Sequence, residues 1–145
     1  MKISIGADHR GFEHKNFIIQ QFHLDDTIIA WNDVGCFAPR CDYPVFADAV
    51  VQDILAGNAE LGILLCASGI GMSIAANRFK GIYAGLVWNK EVAALARQDD
   101  NSNVLVLPSD FVSPKESLQI IQSWLTATFK GGKYQERIDM VDQLG

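Results

Sequence analysis

The residues able to do chemistry gather in Leu61-Gly-Ile-Leu-Leu-Cys-Ala-Ser-Gly-Ile-Gly-Met-Ser-Ile-Ala-Ala-Asn77. An apolar run, Leu61 to Leu65, ends at the thiol of Cys66. A short glycine loop (Ser68, Gly69, Gly71) follows, and then a helix-forming run, Met72 to Phe79. The pattern reads as strand, anion-cradling loop and helix N-terminus. Backbone N–H groups of such a loop, with a helix dipole behind them, favour negative charge in front of them. A cysteine at that positive end forms its thiolate more readily than a free one. A soft base beside oxyanion donors suits proton abstraction next to a carbonyl, because the resulting enediolate needs those donors. Two plainer readings compete. A cysteine at a strand end is often a small core residue, and glycines also serve tight turns.

Something must position that stretch, and the length of 145 residues allows one domain, 1–145, with a real core. With 49% hydrophobic and 20% charged residues, the composition is that of a soluble globular protein. A net charge of −5 argues against a nucleic-acid partner but leaves room for a local phosphate site. Lys2 leads straight into a strand-like run, so no leader pattern is read. No apolar run approaches the ~20 residues of a membrane span. A cytoplasmic protein without a membrane partner is expected. Three cysteines, an odd count, argue against a disulfide framework. Cys36 and Cys41 allow a labile disulfide or part of a metal site. With no second Cys or His pair at ligand spacing, unpaired thiols and no metal are expected.

Lys2 to Ala7 reads as a buried strand stopping at Asp8-His9-Arg10-Gly11. Phe12, Ile18, Ile19 and Phe22 make one helical face. Asp26 to Val34 reads as a second strand, and Phe37 to Tyr43 as a loop. Pro44 opens a helix with a stripe of Phe46, Val50, Val51, Ile54 and Leu55, ended by Gly57-Asn58. Leu61 to Cys66 is the third strand, Met72 to Phe79 its helix, and Ile82 to Trp88 the fourth strand. A helix over Lys90 to Gln98 and a fifth strand over Val104 to Leu107 follow. Pro114 starts a helix with an inner face of Leu118, Ile121, Leu125 and Phe129. Gly131-Gly132 break it, and Tyr134 to Leu144 is a last helix. Strands alternating with helices predict a doubly wound parallel five-stranded sheet, helices on both faces, in the order 2-1-3-4-5. Ligands of such sheets sit beyond the strand C-termini at the switch between strands one and three. Asp8-His9 and Cys66 to Gly71 fall there.

Several pieces together carry a resemblance. They are Gly6-Ala-Asp-His-Arg-Gly-Phe12, Asp33-Val-Gly35, Asp42-Tyr-Pro44, Gly62 to Asn77, Asn103-Val-Leu105 and Gly131-Gly132 through Arg137. In this order the chain resembles the ribose-5-phosphate isomerase B family, whose relatives include the two galactose-6-phosphate isomerase subunits. The resemblance implies an aldose–ketose isomerase of a sugar phosphate, free of metal and cofactor, in pentose phosphate metabolism. It implies Cys66 as the base between C1 and C2. Ala67, Ser68, Gly69, Ile70 and Gly71 would hold the enediolate oxygens, with Ser68 also catalytic. Asp8 and His9 would line the sugar, and Lys133 and Arg137 would hold phosphate. It further implies a homodimer or a dimer of dimers, sites at subunit boundaries and a last helix (about 134–144) packed on a partner subunit.

The departures concern the same sites. Ala67-Ser68 stand where the family has Gly-Thr, and Ser68 keeps the hydroxyl. In Arg97-Gln-Asp-Asp-Asn-Ser-Asn103, Asp99 occupies the place of the histidine assigned to ring opening and is the catalytic candidate there, and Asp100 beside it is a substrate-binding candidate. Asp110 stands where an arginine is expected, which reverses the local charge, and Lys133-Tyr134 replace an arginine and a histidine. An ordinary carboxylate is a poor acid at neutral pH. Three readings follow: an isomerase of a sugar phosphate that needs no ring opening, such as a tetrose 4-phosphate; a ribose-5-phosphate isomerase whose ring is opened by Asp99, by water or spontaneously; or a non-catalytic subunit complementing a paralogue. Elsewhere, His14 reads as a solvated surface residue and His23 as a helix-end cation. Trp31, Trp88 and Trp124 read as core or interface anchors. Arg40 reads as a surface residue, Asp42-Tyr43 as a turn and cap or a pocket wall, and Lys130, Lys133 and Arg137 as a small basic tail.

Overall fold

The computed structural model describes residues 1–36 and 39–145; Phe37 and Ala38, within the second loop, lie outside the described residues. The strands are β1 (Lys2–Ala7), β2 (Ala30–Asp33), β3 (Leu61–Cys66), β4 (Ala84–Leu86) and β5 (Val104–Pro108). The helices are α1 (Phe12–Gln21), α2 (Tyr43–Leu55), α3 (Ile70–Ala76), α4 (Lys90–Gln98), α5 (Pro114–Thr126) and α6 (Lys133–Asp142). Local chemistry sets several boundaries. Pro44 lies in the first turn of α2. The Asn89 side chain accepts the Val92 N–H at 2.8 Å to cap α4. Ser113 and Glu116 form a reciprocal capping box on α5. Gly131 and Gly132, both at positive φ, turn the chain into α6.

All strand pairs are parallel, in the order β2-β1-β3-β5-β4. The doubly wound class stands, and the order 2-1-3-4-5 is corrected in its last two places. Strand lengths and burial explain the swap. β5 is buried along all five residues, as an interior strand must be. β4 has only three residues, none fully buried, and sits at the edge. Alternation then divides the core. Ile63 and Leu65 of β3 join Ile18, Ile121 and Trp124 on the face covered by α1, α4 and α5. Leu64 and Cys66 join Val50, Val51 and Met72 under α2 and α3.

Other boundaries move for local reasons. The second strand is shorter than read, because the chain turns at Asp26 (φ 57) within a Leu24–Thr27 bridge. α3 begins and ends earlier than read. Leu55 is exposed. The buried stripe of α5 is Ser117, Ile120, Ile121 and Trp124, with Leu118 and Leu125 beside it and Phe129 beyond the helix. His14 is buried, not solvated, with Nε2 3.0 Å from Ser117 Oγ, and its burial lowers its pKa. Cys36 and Cys41 are disulfide-bonded rather than free, their Cα atoms 5.9 Å apart, within ordinary disulfide reach. Buried Lys15 reaches Asp33 Oδ1 at 2.5 Å, and the same oxygen takes the Gly35 N–H at 3.0 Å, which fixes the end of β2. Trp124 is fully buried, Trp31 packs edge-on to Phe22, and Trp88 is exposed.

Candidate active site

Because all five strands run the same way, their C-terminal ends share one edge. Cys66 closes β3 there, and its side chain is 5% exposed among Leu64, Met72 and Val106. Its sulfur is not left to apolar contacts alone: Sγ accepts the Gly69 N–H at 3.2 Å. The loop can fold back this tightly because Gly69 is left-handed (φ 77) and has no side chain. A Cβ there would lie 2.4 Å from Leu86 Cδ1. Ser68 Oγ accepts the Ile70 N–H at 3.2 Å, leaving its own O–H free to donate. The N–H groups of Ser68, Gly71 and Met72 have no acceptor among the described residues. Gly71 is covered by Tyr43, whose ring would meet a Cβ at 2.7 Å. Tyr43 is thus a wall of this loop.

The neighbouring loops complete the rim. Asp8 donates its N–H to Leu65 O at 3.2 Å. Its Oδ1 takes the N–H groups of Arg10 (3.0 Å) and Gly11 (3.1 Å), so this buried carboxylate shapes the β1–α1 turn. His9 is exposed, with Nδ1 3.4 Å from Cys41 O. From the other side, Ser109 holds Cys66 O through N–H (2.9 Å) and Oγ (3.0 Å), and Asp110 donates its N–H to Ala67 O at 3.0 Å. Arg10 Nη2 bridges to Asp110 Oδ2 at 2.6 Å. The charge of Asp110 is therefore matched by an arginine from the loop across the switch point. Ser109 and the Arg10–Asp110 bridge escaped the sequence reading for one reason. An order 2-1-3-4-5 seats the loop after strand four beside Cys66, whereas β5 is the true neighbour.

The remaining candidates are elsewhere in the chain. Asp99 caps the C-terminus of α4 and pairs with Lys130 at 2.7 Å. Asp100 lines a cavity of about 250 Å³ with Asn77, Tyr83, Ser102 and Ile138, next to the starts of β4 and β5. That is the sheet edge opposite Cys66. Lys133 and Arg137, on the first turns of α6, lie over the Tyr134 ring at 5.3 and 5.6 Å. Asn77 is a staple, exchanging hydrogen bonds with the backbone of Ala84 at 2.8 and 2.9 Å. One chain thus gathers Asp8, His9, Cys66, Ala67, Ser68, Gly69, Ile70 and Gly71, and holds Asp99, Asp100, Lys133 and Arg137 apart from them. Among the described residues no group of three or more His, Cys, Asp or Glu could hold a metal ion. Among the described residues no helix is long and apolar enough to cross a membrane.

A thiol and a glycine loop at the switch point of a doubly wound sheet define an α/β protein with a small-molecule site at its strand ends. The family model described as Ribose/Galactose Isomerase matches residues 3–141. Probable ribose-5-phosphate isomerase B of Mycoplasma pneumoniae is 41% identical, over 96% of this chain and 91% of the relative. Ribose-5-phosphate isomerase B of Escherichia coli is 37% identical, over 97% and 93%. The crystal structure of a ribose 5-phosphate isomerase from Thermotoga maritima superposes with a TM-score of 0.93 at 40% identity, covering 99% of this chain and 98% of that one. The chain belongs to the ribose/galactose isomerase family and is by that membership an aldose–ketose isomerase.

Proposed function

We propose that the protein interconverts an aldose phosphate and a ketose phosphate by cysteine-mediated proton transfer. The observation that carries this is the sulfur of Cys66 at the end of β3, held by the Gly69 N–H at 3.2 Å beside a loop with unused N–H donors. As a thiolate, Cys66 takes the C2 proton of the open-chain aldose. The electron pair moves into a C1–C2 enediolate, with its charge facing the N–H groups of Ser68 and Gly71. The thiol returns the proton to C1, and a hydroxyl proton passes from O2 to O1, for which the Ser68 O–H is available. His9, Asp8 and Tyr43 form the wall along the sugar. Support for a sugar phosphate comes from relatives named ribose-5-phosphate isomerase B, and from the Mycoplasma genitalium protein of that name with bound ribulose 5-phosphate (TM-score 0.89, 41% identity).

The distant Asp99, Asp100, Lys133 and Arg137 come into play when a second copy brings its own opposite edge to this one. Exposed Tyr43, Val45, Ile70 and Ile74 on adjacent α2 and α3 offer an apolar surface for that pairing. A homodimer with shared sites and α6 against its partner fits this arrangement. The ion pair of Asp99 with Lys130 favours one variant of the reading. With Asp99 engaged, open-chain substrates, a tetrose 4-phosphate among them, suit the site better than a closed furanose. The test is turnover of Cys66→Ala and Cys66→Ser against four-, five- and six-carbon sugar phosphates, followed by NMR. A loss of about 10³-fold or more in kcat is expected, with the fold intact by circular dichroism. Turnover retained in Cys66→Ala removes the proposed base.

A further inference from the structure

Three cations surround one ring near the start of α6. Lys130 Nζ lies 4.8 Å from the Tyr134 centroid, Lys133 Nζ 5.3 Å and Arg137 Cζ 5.6 Å. Like charges so gathered repel, and the electron-rich ring face offsets only part of that repulsion. Asp99 is the only acid whose carboxylate forms an ion pair with any of the three among the described residues. Lys130 is anchored twice to the end of α4. Its N–H donates to Gln98 O at 3.0 Å, and its ammonium meets Asp99 Oδ1 at 2.7 Å. Gly131 and Gly132, at φ 65 and 56, then reverse the chain so that Lys133 and Arg137 return to the same ring. A carboxylate at a helix C-terminus faces the negative end of the dipole and calls for a cation. An ionised carboxylate is also an acceptor only, with no proton to give.

We propose that Asp99 is a positioning residue: it holds Lys130 against Tyr134 and so builds a three-cation subsite, Lys130, Lys133 and Arg137, for the phosphate end of the substrate. Lys130 is the added member of the subsite, and Tyr134 is the platform that all three heads share. Asp99 then governs how tightly the anionic end is held and takes no part in moving sugar protons. This rests on the isomerase reading for the identity of the ligand, since it assigns these cations to the site completed by a second copy.

The test titrates inorganic phosphate calorimetrically into the full-length protein, alongside steady-state kinetics, for Lys130→Met, Asp99→Ala, their double variant, Tyr134→Leu and Tyr134→Phe. Loss of one exposed charge-assisted contact predicts about fivefold weaker phosphate binding for Lys130→Met, matched by a rise in KM with kcat little changed. Asp99→Ala moves KM the same way by a smaller factor, and the double variant is no worse than Lys130→Met, since both act through one ammonium. Tyr134→Phe keeps wild-type phosphate affinity and Tyr134→Leu loses it. The proposal is overturned if Asp99→Ala lowers kcat about a hundredfold with phosphate affinity unchanged, which would make Asp99 a proton-transfer group. It is equally overturned if Lys130→Met leaves phosphate binding untouched. The phosphate titration does not involve Cys66, so failure of the thiol mechanism and failure of this subsite are read separately.

Discussion

Gly69→Ala is the substitution on which the loop geometry bears most directly. Two costs are separable. At φ 77 an alanine must adopt a left-handed backbone, at about 1–2 kcal/mol. Its Cβ would also stand 2.4 Å from Leu86 Cδ1 and 3.3 Å from Val106 Cγ1, an overpacking worth about 1–3 kcal/mol. Gly57 is the internal control. It has nearly the same φ, 78, but no atom within 4 Å of the added Cβ, so Gly57→Ala carries the backbone cost alone. For a domain of this size the Gly57 variant should lower Tm by about 2–8 °C and the Gly69 variant by about 5–15 °C. Differential scanning calorimetry reads both, and Gly69→Ala combined with Leu86→Ala tests whether relieving the clash recovers part of the difference. Because the Gly69 N–H lies on Cys66 Sγ, Gly69→Ala should also lower kcat while Gly57→Ala does not. Equal Tm shifts for the two variants would refute the claim that Leu86 packing, and not φ alone, demands glycine at the loop.

Three further outcomes follow from single contacts. Burial lowers the pKa of His14 below the 6.5 of the unfolded chain, so between the two values the unfolded state binds more protons. Stability is full above pH 6.5 and falls as pH drops toward the folded pKa; urea melts of His14→Gln should lose much of that slope, and an unchanged slope counts against the assignment. Tyr83, which donates to both oxygens of Asp142 (2.7 and 2.8 Å), has its phenol pushed up to about 12, first by that hydrogen bond and then by desolvation and the nearby acids. Ultraviolet titration of Asp142→Asn should show one tyrosine returning toward 10, and a superimposable curve would speak against the bond. Thiol counting in denaturant should find one thiol, Cys66, before reduction and three after; three beforehand would mean that Cys36 and Cys41 are open.

The sequence by itself determined the elements and the presence of a thiol and a glycine loop at the end of β3. Five buried residues in each of β1 and β3, with helical runs between them, leave little but a parallel sheet, and Pro44, Pro114 and Gly131-Gly132 mark boundaries through their own backbone chemistry. Cys66 with Gly69 and Gly71 was legible because a strand, a loop and a helix start are local features. Partners across the sheet were not local. The exchange of β4 and β5 depends on which strand the core buries on both faces, and with it went Ser109 and the bridge from Arg10 to Asp110. His14 meets Ser117 only because α1 and α5 share a face, and Asp99 meets Lys130 across 31 residues. Charge and periodicity record what a residue is and how its neighbours repeat, while the distance between two side chains far apart in the chain is set only when the whole core packs.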